Sequence, residues 1–128
     1  MSMEVKKIAT ALGAEITNID LAKVSNDQVE EIKSHLTENK VIFFPGQKLT
    51  QDEHVEYGSK FGELEGHPNL KNKRLTHPKI FELAASSGGI ADEWHTDITF
   101  QDSPAIMSVL HMVKCPQLGG DTLSLIHI

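Results

Sequence analysis

The stretch VSNDQVEEIKSHL, residues 24–36, leaves this chain least freedom. Ser25 and Gln28 form a capping box, in which two side chains take up backbone N–H groups that the first helical turn cannot satisfy itself. Val24 and Val29 stand where a hydrophobic staple would close the entry, and Val29, Ile32 and Leu36 continue at helical spacing. The same signal recurs at Thr50 and Glu53, predicting a second helix that turns Val55, Gly58 and Phe61 inward and stops at Gly62. Between the two helices, VIFF at 41–44 is short, wholly apolar and ended by Pro45-Gly46, which predicts a buried strand. Ahead of them, Val5 to Ile8 and Ala14 to Ile19 are strand-like and separated by a turn at Gly13.

Beyond Gly62 the pattern changes. Gly, Pro, Asn and Lys dominate up to Pro78, and His67-Pro68 and His77-Pro78 both disfavour helix at the residue before proline. A loop this long in a compact domain is more often functional than a plain connector. Strand-like segments follow at Ile80 to Ala85, Asp97 to Phe100, Ala105 to Val113 and Asp121 to Leu125, spaced by turn residues as in an all-β barrel or sandwich. The expected architecture is a mixed α and β front leading into a run of strands.

Composition narrows the function classes. With 128 residues, 39% hydrophobic and 23% charged, the chain has the makings of one globular domain with a core. A net charge of −6 argues against a nucleic-acid or anionic-membrane partner. The basic group Lys71, Lys73, Arg74 and Lys79 is short enough to be a solvated loop, though it could attract a small anionic substrate. Cys115 alone cannot form an internal disulfide, and there is neither an apolar leader nor a membrane-length apolar run. The expectation is a cytoplasmic protein in a reducing compartment.

The chemistry concentrates in EWHTDITF, residues 93–100. A strand sends residues i and i+2 to one face, so His95 and Asp97 would present a nitrogen and an oxygen side by side. Two histidines and one carboxylate on one face of an octahedron make the site of non-haem Fe(II) oxygenases, with the remaining positions open to reactants. A zinc hydrolase would also accept His and Asp but usually wants further histidines nearby, and the sequence has no HExxH. Taken alone, an HxD pair is also common as ordinary strand polar residues.

Together VIFFPGQKLT, FGELEGHP, EWHTDITF and LGGDT, in this order and at these separations, closely resemble the taurine catabolism dioxygenase (TauD/TfdA) family of Fe(II)- and 2-oxoglutarate-dependent oxygenases. The resemblance runs from about Ala14 to Thr122. It implies a mainly β fold with flanking helices, a double-stranded β-helix or jelly roll, incomplete in this chain, with residues 1–122 as the N-terminal part of a single dioxygenase domain. It implies His95 and Asp97 as Fe(II) ligands, Thr122 as the hydroxyl that hydrogen-bonds the 2-oxoglutarate carboxylate, and His67 and Ile98 as substrate-binding residues. Trp94 could wall the site or fill the barrel, and packing is the expected role. His35, His54, His77 and His111 match no ligand position. The activity implied is hydroxylation of a small anionic organic substrate by O2, with 2-oxoglutarate decarboxylated to succinate. A homo-oligomer is compatible with the full-length form.

The sequence departs from the family pattern at two places. The family's second iron-binding histidine and its 2-oxoglutarate-binding arginine lie farther along than Thr122, and Leu123 is followed by SLIHI, so residues 123–128 read as a non-native tail on a truncated member. That reading predicts aggregation and little turnover for residues 1–128 alone, and keeps open a non-catalytic β-barrel binding module or inactive fragment. The second departure concerns substrate. Where taurine dioxygenase has a tyrosine after His-Pro and an asparagine before Trp-His, this chain has Leu70 and Ala91. Loss of those polar partners disfavours taurine and favours an alkyl sulfate, another sulfonate or an aryloxy carboxylate.

Overall fold

The structure is a computed structural model that describes residues 2–65, 77, 79–84, 93–97 and 99–119. Its ordered heart is a three-stranded sheet with two helices. Strand β1 (Glu4–Lys7) pairs antiparallel with β2 (Ala14–Thr17), Val5 opposite Ile16, and β2 pairs parallel with β3 (Ile42–Phe43), Ala14 opposite Ile42. A parallel pair needs a crossover, and α1 (Asn26–Asn39) supplies it. A 3-10 turn at Leu21–Lys23 leads into α1, and α2 (Gln51–Ser59) follows β3.

Both capping boxes form as the sequence predicts. Ser25 Oγ accepts from Gln28 N at 3.2 Å while Gln28 Oε1 accepts from Ser25 N at 2.9 Å, and Thr50 with Glu53 repeats the exchange at 3.2 and 2.8 Å. Val24 and Val29, the staple pair, are both buried and join Leu21, Ile32 and Tyr57 in one core cluster. Ile16 and Ile32 are the largest fully buried side chains among the described residues, and Ala14 lies fully buried on the same strand as Ile16. The turn at Gly13 is also as predicted. Its φ is +93°, and a β-carbon there would come within 2.9 Å of Ile8, so only glycine fits without displacement. Gly13 N donates to Asn39 O and Ala14 N to Val41 O, tying this turn to the end of α1.

Several expectations change. Strand β2 ends at Thr17 rather than Ile19, because Asn18 takes a left-handed conformation (φ 59°) and its side-chain amide bonds Glu4 instead. The VIFF run is extended only at Ile42 and Phe43, and Phe43 is 49% exposed, so it is not a fully buried strand. Its single described partner is β2; as an edge strand it has one covered side, where Ile42 and Phe44 pack on the core. Helix α2 ends at Ser59, short of the expected stop at Gly62; its deeply buried residue is Tyr57, with Val55 half-covered and Gly58 enclosed, and Phe61, just past its end, is half-covered. Phe44 and Phe61 meet the Tyr57 ring edge-on at 6.3 and 5.1 Å, and burial pushes the Tyr57 hydroxyl up to about 12.

The larger correction lies in the second half. The described parts of the segments expected as strands at Ile80 to Ala85, Asp97 to Phe100 and Ala105 to Val113 contain no paired strand, and Asp121 to Leu125 lies outside the described residues. A strand exists only through a neighbour that takes its N–H and C=O groups, and no such neighbour lies among the described residues. The strand-like alternation nevertheless survives. Met107, Val109 and His111 turn toward the helical unit, while Ile106, Leu110 and Met112 face outward, Ile106 being 90% exposed. Val109 packs on the core, its carbonyl lies 3.0 Å from His54 Nε2, and the His54 and His111 rings meet edge-on at 5.7 Å. His77 pairs with Asp52 at 3.6 Å and Lys79 Nζ donates to Leu64 O at 2.9 Å. Among the described residues no helix is long and apolar enough to cross a membrane.

Candidate metal centre

Residues 93–97 form a bend rather than a strand, yet His95 and Asp97 still converge. His95 Nε2 lies 3.3 Å from Asp97 Oδ1. On the other side of the ring, His95 Nδ1 donates to the Glu93 carbonyl at 2.7 Å. A carbonyl carries no proton to give, so this contact requires the hydrogen on Nδ1, and in the neutral imidazole Nε2 then carries a free lone pair. Beyond the pair, the Thr96 and Thr99 hydroxyls share a hydrogen bond of 2.5 Å across Asp97.

This donor set suits a divalent ion by type and by spacing. Two donors about 2.1 Å from one first-row dication and at right angles to each other stand about 3.0 Å apart, so a 3.3 Å pair can span one edge of an octahedron with a small side-chain adjustment. The His95 and Asp97 side chains are 54% and 70% exposed, which leaves room for further ligands. Among the described residues there is no cluster of three or more His, Cys, Asp or Glu, so this pair is not completed by a third protein donor there. Trp94, expected to pack, is exposed, because no described element covers it. His67, Ile98 and Thr122 lie outside the described residues. Nothing in the residue pattern marks Thr96 and Thr99 beyond their spacing across Asp97, typical of hydroxyls that close a local turn.

Residues 4–124 match the family described as Taurine catabolism dioxygenase TauD, TfdA family. The chain belongs to that family. It is 36% identical to an alkylsulfatase of Acinetobacter baylyi over 94% of its own length and 38% of the relative's. It is 34% identical to an alpha-ketoglutarate-dependent sulfate ester dioxygenase of Pseudomonas putida, over 96% of the chain and 41% of the relative. Sulfonate and 2,4-dichlorophenoxyacetate dioxygenases are among its other relatives. The solved structure of a taurine dioxygenase from Burkholderia xenovorans superposes with a TM-score of 0.53 at 35% identity, covering 61% of this chain and 28% of that one. The chain thus spans less than half the length of these relatives. The dependence of several of these relatives on α-ketoglutarate implies Fe(II) and 2-oxoglutarate as the family's cofactor pair.

Proposed function

We propose that this chain carries the N-terminal part of an Fe(II)- and 2-oxoglutarate-dependent dioxygenase, a jelly-roll enzyme that hydroxylates a small anionic organic compound, with an alkyl sulfate ester as the leading substrate class. The observation that carries the proposal is the His95–Asp97 pair at 3.3 Å, found at the HxD position of a chain that matches the family from residue 4 to 124. Sulfate esters lead over sulfonates and aryloxy carboxylates for two reasons. The alkylsulfatase and the sulfate ester dioxygenase are both relatives at 34% identity or more. Leu70 and Ala91, at the sequence positions where taurine dioxygenase has a tyrosine and an asparagine, are also apolar, which removes polar partners for taurine's amine and sulfonate.

In this reading His95 Nε2 and Asp97 Oδ1 hold Fe(II), with Nδ1–H on the Glu93 carbonyl keeping Nε2 free to bind. Thr122 orients the carboxylate of 2-oxoglutarate, and His67 and Ile98 contact the substrate. When bound, the metal and its co-substrate supply the oxidising power for C–H hydroxylation with O2, and the protein's contribution is to hold, orient and exclude water. Hydroxylation on the carbon bearing a sulfate ester yields a product that releases sulfate.

The test is succinate formation from 2-oxoglutarate, dependent on Fe(II) and on an alkyl sulfate, in the protein and in its His95→Ala variant. Coupled turnover lost in His95→Ala supports the proposal; turnover retained there removes His95 from the metal. Preference for taurine over alkyl sulfates would overturn the substrate class. The alternative of a non-catalytic binding module is favoured if the full reading frame supplies neither a later histidine nor an arginine and 2-oxoglutarate is never consumed.

A further inference from the structure

His95 and Asp97 are too exposed for packing to fix where their side chains point, so something else must hold them 3.3 Å apart. The His95 ring is surrounded by two acceptors and, when neutral, has one proton. The Glu93 carbonyl at 2.7 Å takes that proton in preference to the Asp97 carboxylate at 3.3 Å. Two lone-pair atoms, Nε2 and Oδ1, are then left facing each other. That arrangement is repulsive by itself and is relieved by a cation bound between them. A free chain would rotate one side chain away. Here the Thr96–Thr99 bridge, 2.5 Å between hydroxyls, closes the turn on which Asp97 sits and limits that escape.

Resting on the reading of His95 and Asp97 as a ligand pair, we propose that Thr96 and Thr99 are positioning residues for the metal. Their hydroxyl bridge braces Asp97 while the Glu93 carbonyl sets the His95 tautomer, so that the two donors are aligned before the ion arrives. Neither threonine touches the ion. Their effect is on its affinity, by removing the cost of ordering two exposed side chains at the moment of binding.

The experiment is titration of the protein with Mn(II) alone, following the free-ion electron paramagnetic resonance signal, in wild type and in His95→Ala, Thr96→Val, Thr99→Val and Thr99→Ser. Partners of ligating residues typically change metal affinity 10–100-fold, and an exposed brace belongs at the lower end. Thr99→Val and Thr96→Val should therefore weaken Mn(II) binding roughly 10-fold. Thr99→Ser, which keeps the hydroxyl, should restore it. Metal-free 15N spectra of the histidine ring at a pH of about 8.5, where free imidazole is neutral, should place the His95 proton on Nδ1. Wild-type affinity in both valine variants overturns the brace, and a ring proton on Nε2 overturns the role of the Glu93 carbonyl; either result leaves the ligand pair standing if His95→Ala still abolishes binding. Equal Mn(II) binding by wild type and His95→Ala, or binding by neither, overturns the ligand pair and the brace with it.

Discussion

Gln47, inside the VIFFPGQKLT motif, does in one side chain what a neighbouring strand would do. Its Oε1 accepts from Leu21 N at 3.1 Å and its Nε2 donates to Ile19 O at 2.9 Å, both in a partly buried setting 26 and 28 residues away. The amide thereby serves the backbone just past the end of β2. Gln47→Met keeps the bulk and removes both bonds. At about 1 kcal/mol net per hydrogen bond, with Leu21 N and Ile19 O left short of partners, the loss is about 2 kcal/mol. Gln47→Glu separates the two contacts. Its carboxylate can still accept from Leu21 N but sets an oxygen against the Ile19 carbonyl, and only the protonated form can donate there. The folded state therefore favours the protonated form, and the pKa of the introduced carboxyl is raised on folding. Its stabilising contribution is complete below the unfolded glutamate value of about 4.3 and disappears as pH rises through the folded value. Urea unfolding at neutral pH should show both variants shifted down by roughly 1 M, given slopes of about 1–3 kcal/mol/M. Near pH 4, Gln47→Glu should regain much of its deficit relative to wild type while Gln47→Met does not. A Gln47→Met midpoint equal to wild type, or a Gln47→Glu deficit independent of pH, would refute the assignment of these two bonds.

Three other outcomes can be checked alongside. Ile32→Ala empties part of a core in which Ile32 is 1% exposed and should cost about 2–5 kcal/mol, read as a lower thermal midpoint and a smaller unfolding free energy. The Glu53 carboxyl is held below its ordinary 4.5 by the Thr50 backbone N–H, then by the Thr50 hydroxyl, so its contribution to the start of α2 is present above that value and lost as pH falls through the lowered folded value; Glu53→Gln should abolish that acid-side loss in a pH series of melts. Replacing Ile106 and Leu110, which are 90% and 74% exposed, with lysine should reduce dye binding and aggregation with little change in unfolding free energy, and an unchanged aggregation rate would show that this face is not the adhesive one.

The N-terminal unit was legible in the sequence because its determinants are local. Ser25–Gln28, Thr50–Glu53 and the Gly13 turn each act across a few residues, and each forms as read. What escaped was set by distant partners. Tyr57 becomes core only because Phe44 and Phe61 converge on it, and Gln47 is recognisable as a backbone mimic only once Ile19 and Leu21 are beside it. The strand expected at Ala105 to Val113 keeps its alternation through Met107, Val109 and His111, but alternation does not supply the neighbour that makes a strand. The His95–Asp97 approach was inferred from strand geometry and occurs in a bend instead, held by hydrogen bonds to Glu93 and between Thr96 and Thr99 that the two-residue spacing does not reveal.

The parallel pairing of Ala14 with Ile42 has a consequence for how the molecule comes into being. Everything that pairing needs, including the intervening α1, has been synthesised by the time β3 is complete, and loop closure over so short a span carries a modest entropic penalty. The amino-terminal unit can consolidate while later residues are still leaving the ribosome. Once α2 follows, His54 and the flank of Tyr57 stand ready as a landing surface, and the segment around Val109 arrives at a template already set.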